Sequence, residues 1–129
     1  MHLGGIPTVC GGRQGADSAA NSSDLCYRFD PQLETWEQYG KVDFKSYSMA
    51  HDFSPEWGLV ISGGYDGSPG GFDYLSYVEQ TFDGFNFKVL PVMPEPLYRH
   101  CLVIVDEDTL FVSGGLVSST NLNNTYLYR

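Results

Sequence analysis

The stretch LVISGG, residues 59–64, is an apolar run that ends in two adjacent glycines, and the chain contains three versions of it. The others are TVCGG at 8–12 and LFVSGG at 110–115, so the glycine pairs lie 52 and then 51 residues apart. A short apolar run bounded by glycines predicts a buried strand. Glycine at its end supplies a positive φ or room for close backbone approach. An internal repeat of about 50 residues therefore organises the chain. The paired glycines are Gly11, Gly12, Gly63, Gly64, Gly114 and Gly115.

Each glycine pair is followed by a polar loop and a second strand that carries an aromatic residue. These aromatics are assigned as Phe29, Phe82 and Tyr128, and in the first two units a turn and a further aromatic follow, Trp36 and Phe87. Ahead of the second and third glycine pairs, residues 47–51 and 100–105 read as one more strand, joined by the short turns 53–58 and 106–108. One unit is thus four antiparallel strands, A to D outward, which is the pattern of a propeller blade.

The glycine pair, the aromatic of the next strand, Asp30-Pro31 and the Trp seven positions after Phe29 together resemble the kelch repeat of β-propellers. The linker at 90–100, with its Arg, is similar to the kelch connection between blades. The second unit departs from the pattern with Phe87 in place of Trp, and the unit around Tyr47 lacks the Arg. The resemblance implies an all-β fold, a partial kelch β-propeller made of four-stranded antiparallel blades.

Within that fold we expect residues 1–44 to form strands B to D of a first blade, 45–93 a complete second blade, and 94–129 strands A to C of a third. Two and a half blades do not close a ring of the roughly four to eight blades that propellers use. We therefore expect a fragment of a larger propeller, with the remaining blades of the parent chain as its first partners.

Composition narrows the partners further. The formal charge is -9, from 16 acidic and 7 basic residues, and no cluster of Lys and Arg occurs. Because phosphate binding depends on grouped cations, nucleic acid is not expected as a partner. The apolar run at 101–105 is far shorter than the roughly 20 residues that cross a bilayer, so membrane insertion is not expected either. No signal peptide is visible at the N-terminus.

Two cysteines flank the first polar loop. Cys10 precedes the first glycine pair, Cys26 lies in the following strand, and the midpoint between them, residue 18, is also the centre of the loop 13–23. This symmetry predicts cross-strand neighbours joined by a disulfide, which would imply an oxidising compartment. Two buried free thiols in a cytosolic propeller are the alternative. In the other units the equivalent pairs are assigned as Ser62 with Glu79 and Ser113 with Thr125.

N-glycosylation patterns bear on the same question of compartment. They occur at Asn21 and Asn123, each in a B-to-C loop. Together with the cysteine pair they favour a secreted, extracellular glycoprotein, with the cytoplasm as the alternative. The wider pattern of VCGG, CY, WGLVISGG and RHCLVIV is similar to secreted kelch-like proteins of arthropods. Cys101 has no partner in the chain and is expected to be either a buried thiol or half of a disulfide to another blade.

The sequence predicts no enzyme, no metal site and no cofactor. The histidines, His2, His51 and His100, lack the spacing of metal ligands, and nothing marks a serine as a nucleophile. Galactose oxidase-like copper enzymes also carry kelch-type blades, and their site needs a Cys bonded to a Tyr. Cys26 and Tyr27 are adjacent on one strand and point to opposite faces, so they cannot form that crosslink. This enzyme remains the weaker alternative.

The resemblance implies a non-catalytic protein-binding module that presents its B-to-C and D-to-A loops to a protein partner. Those loops are 13–24, 65–76, 116–124, 39–45 and 91–98. Candidate partner contacts are Arg13, Tyr65, Tyr98 and Arg99, because Tyr and Arg combine contact area with directional hydrogen bonds. Loop packing and contacts between blades are the alternative roles of these side chains. The alternative function is the substrate-recognition propeller of an intracellular BTB-kelch ubiquitin-ligase adaptor.

Overall fold

The computed structural model describes residues 1–15, 21–68 and 73–129 of the chain. Regular structure in these residues is entirely β, as the glycine and aromatic content of the repeats predicts. In chain order the strands are β1 (His2–Leu3), β2 (Ile6–Cys10), β3 (Arg13–Gln14), β4 (Asn21–Ser22), β5 (Leu25–Asp30), β6 (Thr35–Lys41), β7 (Ala50–Ser54), β8 (Gly58–Ser62), β9 (Tyr65–Asp66), β10 (Asp73–Tyr74), β11 (Val78–Thr81), β12 (Lys88–Leu90), β13 (Cys101–Asp106), β14 (Thr109–Ser113), β15 (Leu116–Val117), β16 (Thr120–Asn121) and β17 (Thr125–Tyr128). Across the described ranges, no helix is long and apolar enough to span a membrane.

Three antiparallel sheets follow one another along the chain. The first has the order β1-β2-β5-β6, the second β7-β8-β11-β12, and the third β13-β14-β17. Each B-to-C connection adds a small two-stranded ribbon, β3-β4, β9-β10 or β15-β16. The predicted all-β architecture of four-stranded antiparallel sheets is therefore confirmed, whereas the ribbons were not predicted.

Two strand assignments need correction. We assigned no strand A to the first blade, but β1 pairs antiparallel with β2, with His2 opposite Pro7. Two residues of pairing leave too little hydrophobic alternation for a sequence pattern to detect. In the second blade, strand A was placed at residues 47–51, whereas β7 begins at Ala50 and ends at Ser54. The hairpin turn is correspondingly shorter and comprises residues 55–57.

The buried strand β8 shows how the sheets pack. All of its residues are buried, and neighbouring side chains point to opposite faces of the sheet. Leu59 and Ile61 pack into a core shared with the first blade, beside Leu3 and Val42. Val60 packs into a second core shared with the third blade. The continuous apolar run at 59–61 thus reflects a blade that is covered on both faces.

Two linkers join the blades: the first linker, residues 42–49, connects β6 to β7, and the second linker, residues 91–100, connects β12 to β13. Each receives a hydrogen bond from the glycine pair of the preceding blade. The N–H of Gly12 donates to the carbonyl of Ser46, and the N–H of Gly64 donates to the carbonyl of Leu97, both at 2.8 Å. The glycine pairs are therefore the joints between consecutive blades.

Close approach at these joints leaves no room for a side chain. A Cβ at Gly63 would lie 2.3 Å from the Leu97 carbonyl oxygen, and φ at Gly63 is +58°. The repeat-equivalent Gly11 would bring a Cβ within 2.9 Å of the Ser46 carbonyl oxygen. All six glycines of the pairs have positive φ, whereas the lack of space for a Cβ applies to Gly11, Gly63, Gly64 and Gly115 and not to Gly12 or Gly114.

Comparing alanine substitutions at Gly63 and Gly4 separates the requirement for space from the requirement for a positive φ. Gly4 has nearly the same φ, +59°, but nothing lies within 4 Å of its hypothetical Cβ. We expect Gly4→Ala to lower the free energy of unfolding by about 1 kcal/mol, because the left-handed conformation disfavours a Cβ. Gly63→Ala should lower it by at least roughly 2 kcal/mol more, because backbone atoms must move apart. Urea unfolding measures both, and equal losses would contradict the assignment.

Candidate functional site

The ribbons and the linkers meet on one rim of the blades. A β-bridge pairs Tyr47 of the first linker with Tyr65 of β9, and another pairs Tyr98 of the second linker with Leu116 of β15. The ribbon of the first blade reaches the second, because the Ser22 hydroxyl donates to the Tyr65 carbonyl at 3.3 Å and accepts from the Gly67 N–H at 2.8 Å. The predicted loop face is thus a continuous surface in the described residues. Residues 16–20 and 69–72 of the predicted loops lie outside them.

Four tyrosines converge on this rim, and we call them the tyrosine cluster: Tyr47, Tyr65, Tyr74 and Tyr98. Ring centroids are 5.5 Å apart for Tyr47 and Tyr65, 4.9 Å for Tyr65 and Tyr74, and 5.3 Å for Tyr74 and Tyr98. All four side chains are half-buried. Burial and the neighbouring tyrosines raise the pKa of Tyr65, so its hydroxyl stays protonated at neutral pH. The cluster offers aromatic surface together with hydrogen-bonding groups.

The two candidate arginines lie at opposite ends of the tyrosine cluster. The Arg13 guanidinium lies 5.8 Å from the centre of the Tyr47 ring, and that of Arg99 lies 5.4 Å from the centre of the Tyr98 ring. Both arginine residues are exposed. Such cation–π contacts orient a guanidinium while leaving its edge accessible.

The backbone of Arg99 has a separate role in joining the linkers. Its N–H donates to the carbonyl of Ser48 at 2.9 Å. Ser48 stands in the first linker where Arg99 stands in the second, and both have a φ of +54°. The two linkers therefore share this backbone conformation, although only the second has an arginine there. The main chain of Arg99 links the two linkers, while its side chain remains available at the surface.

Beside the tyrosine cluster the ribbon β9-β10 presents an acidic face. Asp66 and Asp73 are register partners in this ribbon, next to the paired Tyr65 and Tyr74. They open onto a cleft of about 360 Å³. The cleft is lined by Asp43, Phe44, Lys45, Asp66, Asp73, Leu75 and Tyr77. The rings of Phe44 and Tyr77 stack there with centroids 3.6 Å apart. Among the described residues, no group of three or more His, Cys, Asp or Glu could hold a metal ion.

A buried carboxyl group holds the first linker beneath this cleft. Glu79 of β11 is 4% exposed, and its Oε1 accepts a hydrogen bond from the Asp43 N–H at 2.6 Å. The Phe44 N–H donates to the same carboxyl group. Burial, with a smaller contribution from the Asp43 charge, raises the pKa of Glu79 to about 7.

The histidines contact no common site. His51 is exposed on β7, and its pKa is lowered mainly by partial burial. His100 lies at the second joint, where its Nε2 is 2.7 Å from the Ser62 hydroxyl. Burial lowers the pKa of His100 to about 4, so the ring is neutral at pH 7 and fits a packing role between blades.

A disulfide joins Cys10 and Cys26, which are direct register partners with Cα atoms 4.0 Å apart. Both half-cystines are buried in the core between the first two blades.

Ser113 pairs with Thr125 as assigned, and their hydroxyls are 3.2 Å apart. The assignment of Ser62 to Glu79 is wrong, because Ser62 pairs with Val78. This frees Ser62 to contact His100 and places Glu79 on the opposite face of β11.

The same shift of one residue affects the aromatic of the second blade. Phe82 follows the last residue of β11 and is 61% exposed, so its assignment to that strand is wrong. The buried Thr81 occupies the position of Tyr128 in the third blade, as their partners Leu59 and Leu110 indicate.

The other blade aromatics contribute to packing. Phe29 and Trp36 are cross-strand partners with ring centroids 5.5 Å apart, although Trp36 is 50% exposed. Phe87 packs against the core between the first and second blades, and Tyr128 packs against the core between the second and third.

The remaining predicted positions lie at the surface. Cys101 is exposed and is a free thiol in this structure, so the first alternative, a buried thiol, is wrong, and the second, a disulfide to another blade, stays a prediction. It begins β13, whose alternating side chains put Leu102 rather than Cys101 into the core. Asn21 and Asn123 are both exposed.

Sequence reasoning missed Tyr47, Tyr74 and Glu79. A signal existed for Tyr47, because it precedes Tyr98 by 51 residues, close to the repeat spacing. Tyr74 and Glu79 had none, since their roles depend on the unpredicted ribbon and on the shifted register of β11.

Comparisons with known proteins place the chain among propellers. No protein-family model matches it. It is 28% identical over 116 residues to Kelch domain-containing protein 10 of Xenopus tropicalis, a match that covers 85% of this chain and 27% of that protein. The solved structure titled "Structure of YjhT" matches with a TM-score of 0.70 and 16% identity, over 89% of this chain and 42% of that one. The chain thus spans about a quarter of the curated relative and under half of the structural neighbour.

The same fold is indicated by the glycine-pair repeat, the four-stranded sheets and these similarities. The chain has the fold of a run of β-propeller blades, and its sequence is similar to that of a kelch domain-containing protein.

Proposed function

We propose that this chain is part of a non-catalytic, protein-binding propeller whose recognition surface is the rim carrying the tyrosine cluster. The observation that carries the proposal is the convergence of four half-buried tyrosines from the two linkers and one ribbon, with an exposed arginine at each end. Tyr and Arg are the side chains most enriched where protein interfaces derive their affinity. The kelch relationship is consistent with this use, since propellers host binding sites on their loops.

The chemistry of the rim indicates how a partner would be held. The tyrosine rings already pack on one another, so little side-chain entropy is lost when a partner covers them. Arg99 adds an exposed charge whose position is set by its contact with Tyr98. A partner is therefore expected to pack apolar groups on the cluster and to place a hydrogen-bond acceptor at Arg99.

We further propose that the chain works in an oxidising, extracellular compartment. The Cys10–Cys26 disulfide and the exposed Asn21 and Asn123 support export. The alternative is a cytoplasmic adaptor, and the thiol count described below distinguishes the two compartments.

Charge reversal at Arg99 tests the binding surface. Lys88 provides the matched control, because it is an exposed cation on β12, in the outer strand of the second blade. With the immobilised chain as bait in extracellular fluid of the source organism, we expect Arg99→Glu to reduce the capture of specific proteins at least tenfold. Lys88→Glu should retain them, and quantitative mass spectrometry measures both. If Arg99→Glu and Lys88→Glu capture the same proteins equally, with both variants folded by circular dichroism, the rim is not the recognition surface.

Counting thiols tests the compartment. Protein isolated from its source under alkylating conditions, then unfolded without reductant, is expected to contain one thiol per chain, that of Cys101, because Cys10 and Cys26 are bonded. Mass spectrometry with a thiol label gives the number. Three thiols per chain would contradict export and favour the cytosol.

A further inference from the structure

The first linker depends on a single side chain from the neighbouring strand. The carboxyl group of Glu79 receives the N–H groups of both Asp43 and Phe44, two adjacent linker residues. Phe44 in turn stacks on Tyr77, which lies two residues before Glu79. Asp43, Phe44 and Lys45 line the cleft next to the tyrosine cluster, so Glu79 sets the position of one wall of the rim.

The surroundings of this carboxyl group favour its neutral form. Glu79 is 4% exposed, and its cross-strand partners Ile61 and Val89 are apolar. The charge that acts on it is that of Asp43 in the linker. The exposed His51 lies in the same cross-strand row, and Lys41, two residues before Asp43 in the sequence, pairs with Asp24 at 4.0 Å. Among the described residues, no ion pair joins Glu79 to a cation. An ionised Glu79 would be a buried charge near a second carboxylate.

We propose that Glu79 is a pH-sensitive positioning residue, which holds the first linker closed against the second blade when it is protonated and releases it when it ionises. The two N–H bonds by themselves favour the carboxylate, but burial and the Asp43 charge outweigh them, so the closed linker holds the neutral carboxyl group. When the proton leaves, opening of the linker hydrates the carboxylate and separates it from Asp43. The partner-facing wall formed by residues 43–45 is therefore ordered in acid and loosened at neutral pH.

The linkage between protonation of Glu79 and opening of the linker sets the direction of the pH dependence. In the closed form the pKa of Glu79 is raised to about 7 from its ordinary value of 4.5. The closed form is thus fully favoured below pH 4.5, and this preference is lost as the pH rises toward 7. Within that window the opening equilibrium constant increases by up to about tenfold per pH unit, and above it the constant levels off.

The second linker is held differently and provides an internal control. Its Glu95 accepts hydrogen bonds from the Tyr126 hydroxyl and, at 3.0 Å, from the Asn124 side chain. These donors lower the pKa of Glu95, so it remains ionised over the range in which Glu79 titrates. The Met93 N–H of this linker donates to the Ser76 carbonyl at 2.8 Å and makes no contact with Glu79.

Amide hydrogen exchange by NMR tests this proposal, independently of any partner. In the 129-residue chain, protection factors of the Asp43 and Phe44 amides, corrected for intrinsic exchange, should fall roughly 30- to 100-fold between pH 5 and pH 8. Met93 should not show this fall. In Glu79→Gln the side-chain carbonyl still accepts and no charge can form, so protection at Asp43 and Phe44 should stay high across the range.

Two results would overturn the proposal. The first is a flat protection profile at Asp43 and Phe44 in the wild type, a measurement that stands even if the variant does not fold. The second is the same pH-dependent fall in Glu79→Gln as in the wild type. Neither result bears on whether the tyrosine cluster binds a protein, which the Arg99 and Lys88 variants decide.

Discussion

In the first two blades, the second glycine of the pair donates a hydrogen bond to the following linker, and this bond sets how consecutive blades are arranged. Gly12 binds Ser46 and Gly64 binds Leu97 in the same way, and the first glycine of each pair packs against the same carbonyl. Each bond fixes a linker, and each linker carries the residue that bridges to the next ribbon, Tyr47 or Tyr98 in turn. A backbone contact thus determines where the rim tyrosines lie.

Around these common joints the repeats have diverged in the groups that secure each linker. A strand carboxyl group binds two linker amides in the second blade, whereas a strand tyrosine binds a linker carboxylate in the third. In the first blade Tyr27 occupies the equivalent position, next to the Cys26 half-cystine of the disulfide. Because the hydrophobic cores between blades already fix the fold, these side chains are free to vary. Such side chains can make one blade alone sensitive to pH or to the redox environment.

The sequence predicted the fold well because its signals were local and repeated. Glycine pairs 52 and 51 residues apart located β2, β8 and β14 to within two residues, and symmetry about one loop located the Cys10–Cys26 disulfide. The errors arose where a strand's boundaries or register depend on pairing with its neighbour rather than on a local sequence pattern. Strand β1 is too short to show alternation, and a shift of one residue in β11 misplaced both Phe82 and Glu79. Tyr74 was missed for the same reason, since the ribbon that orients it has no sequence pattern, whereas Tyr47 was missed although it lies one repeat before Tyr98.

Scalar couplings across hydrogen bonds show whether the glycine pairs join consecutive blades through their N–H groups. An NMR experiment on the isotope-labelled chain can detect coupling between the Gly12 nitrogen and the Ser46 carbonyl carbon, and between those of Gly64 and Leu97. Both couplings should appear with magnitudes like those between β8 and β11. If the couplings within the sheets are detected and these two are not, the glycine N–H groups do not join consecutive blades.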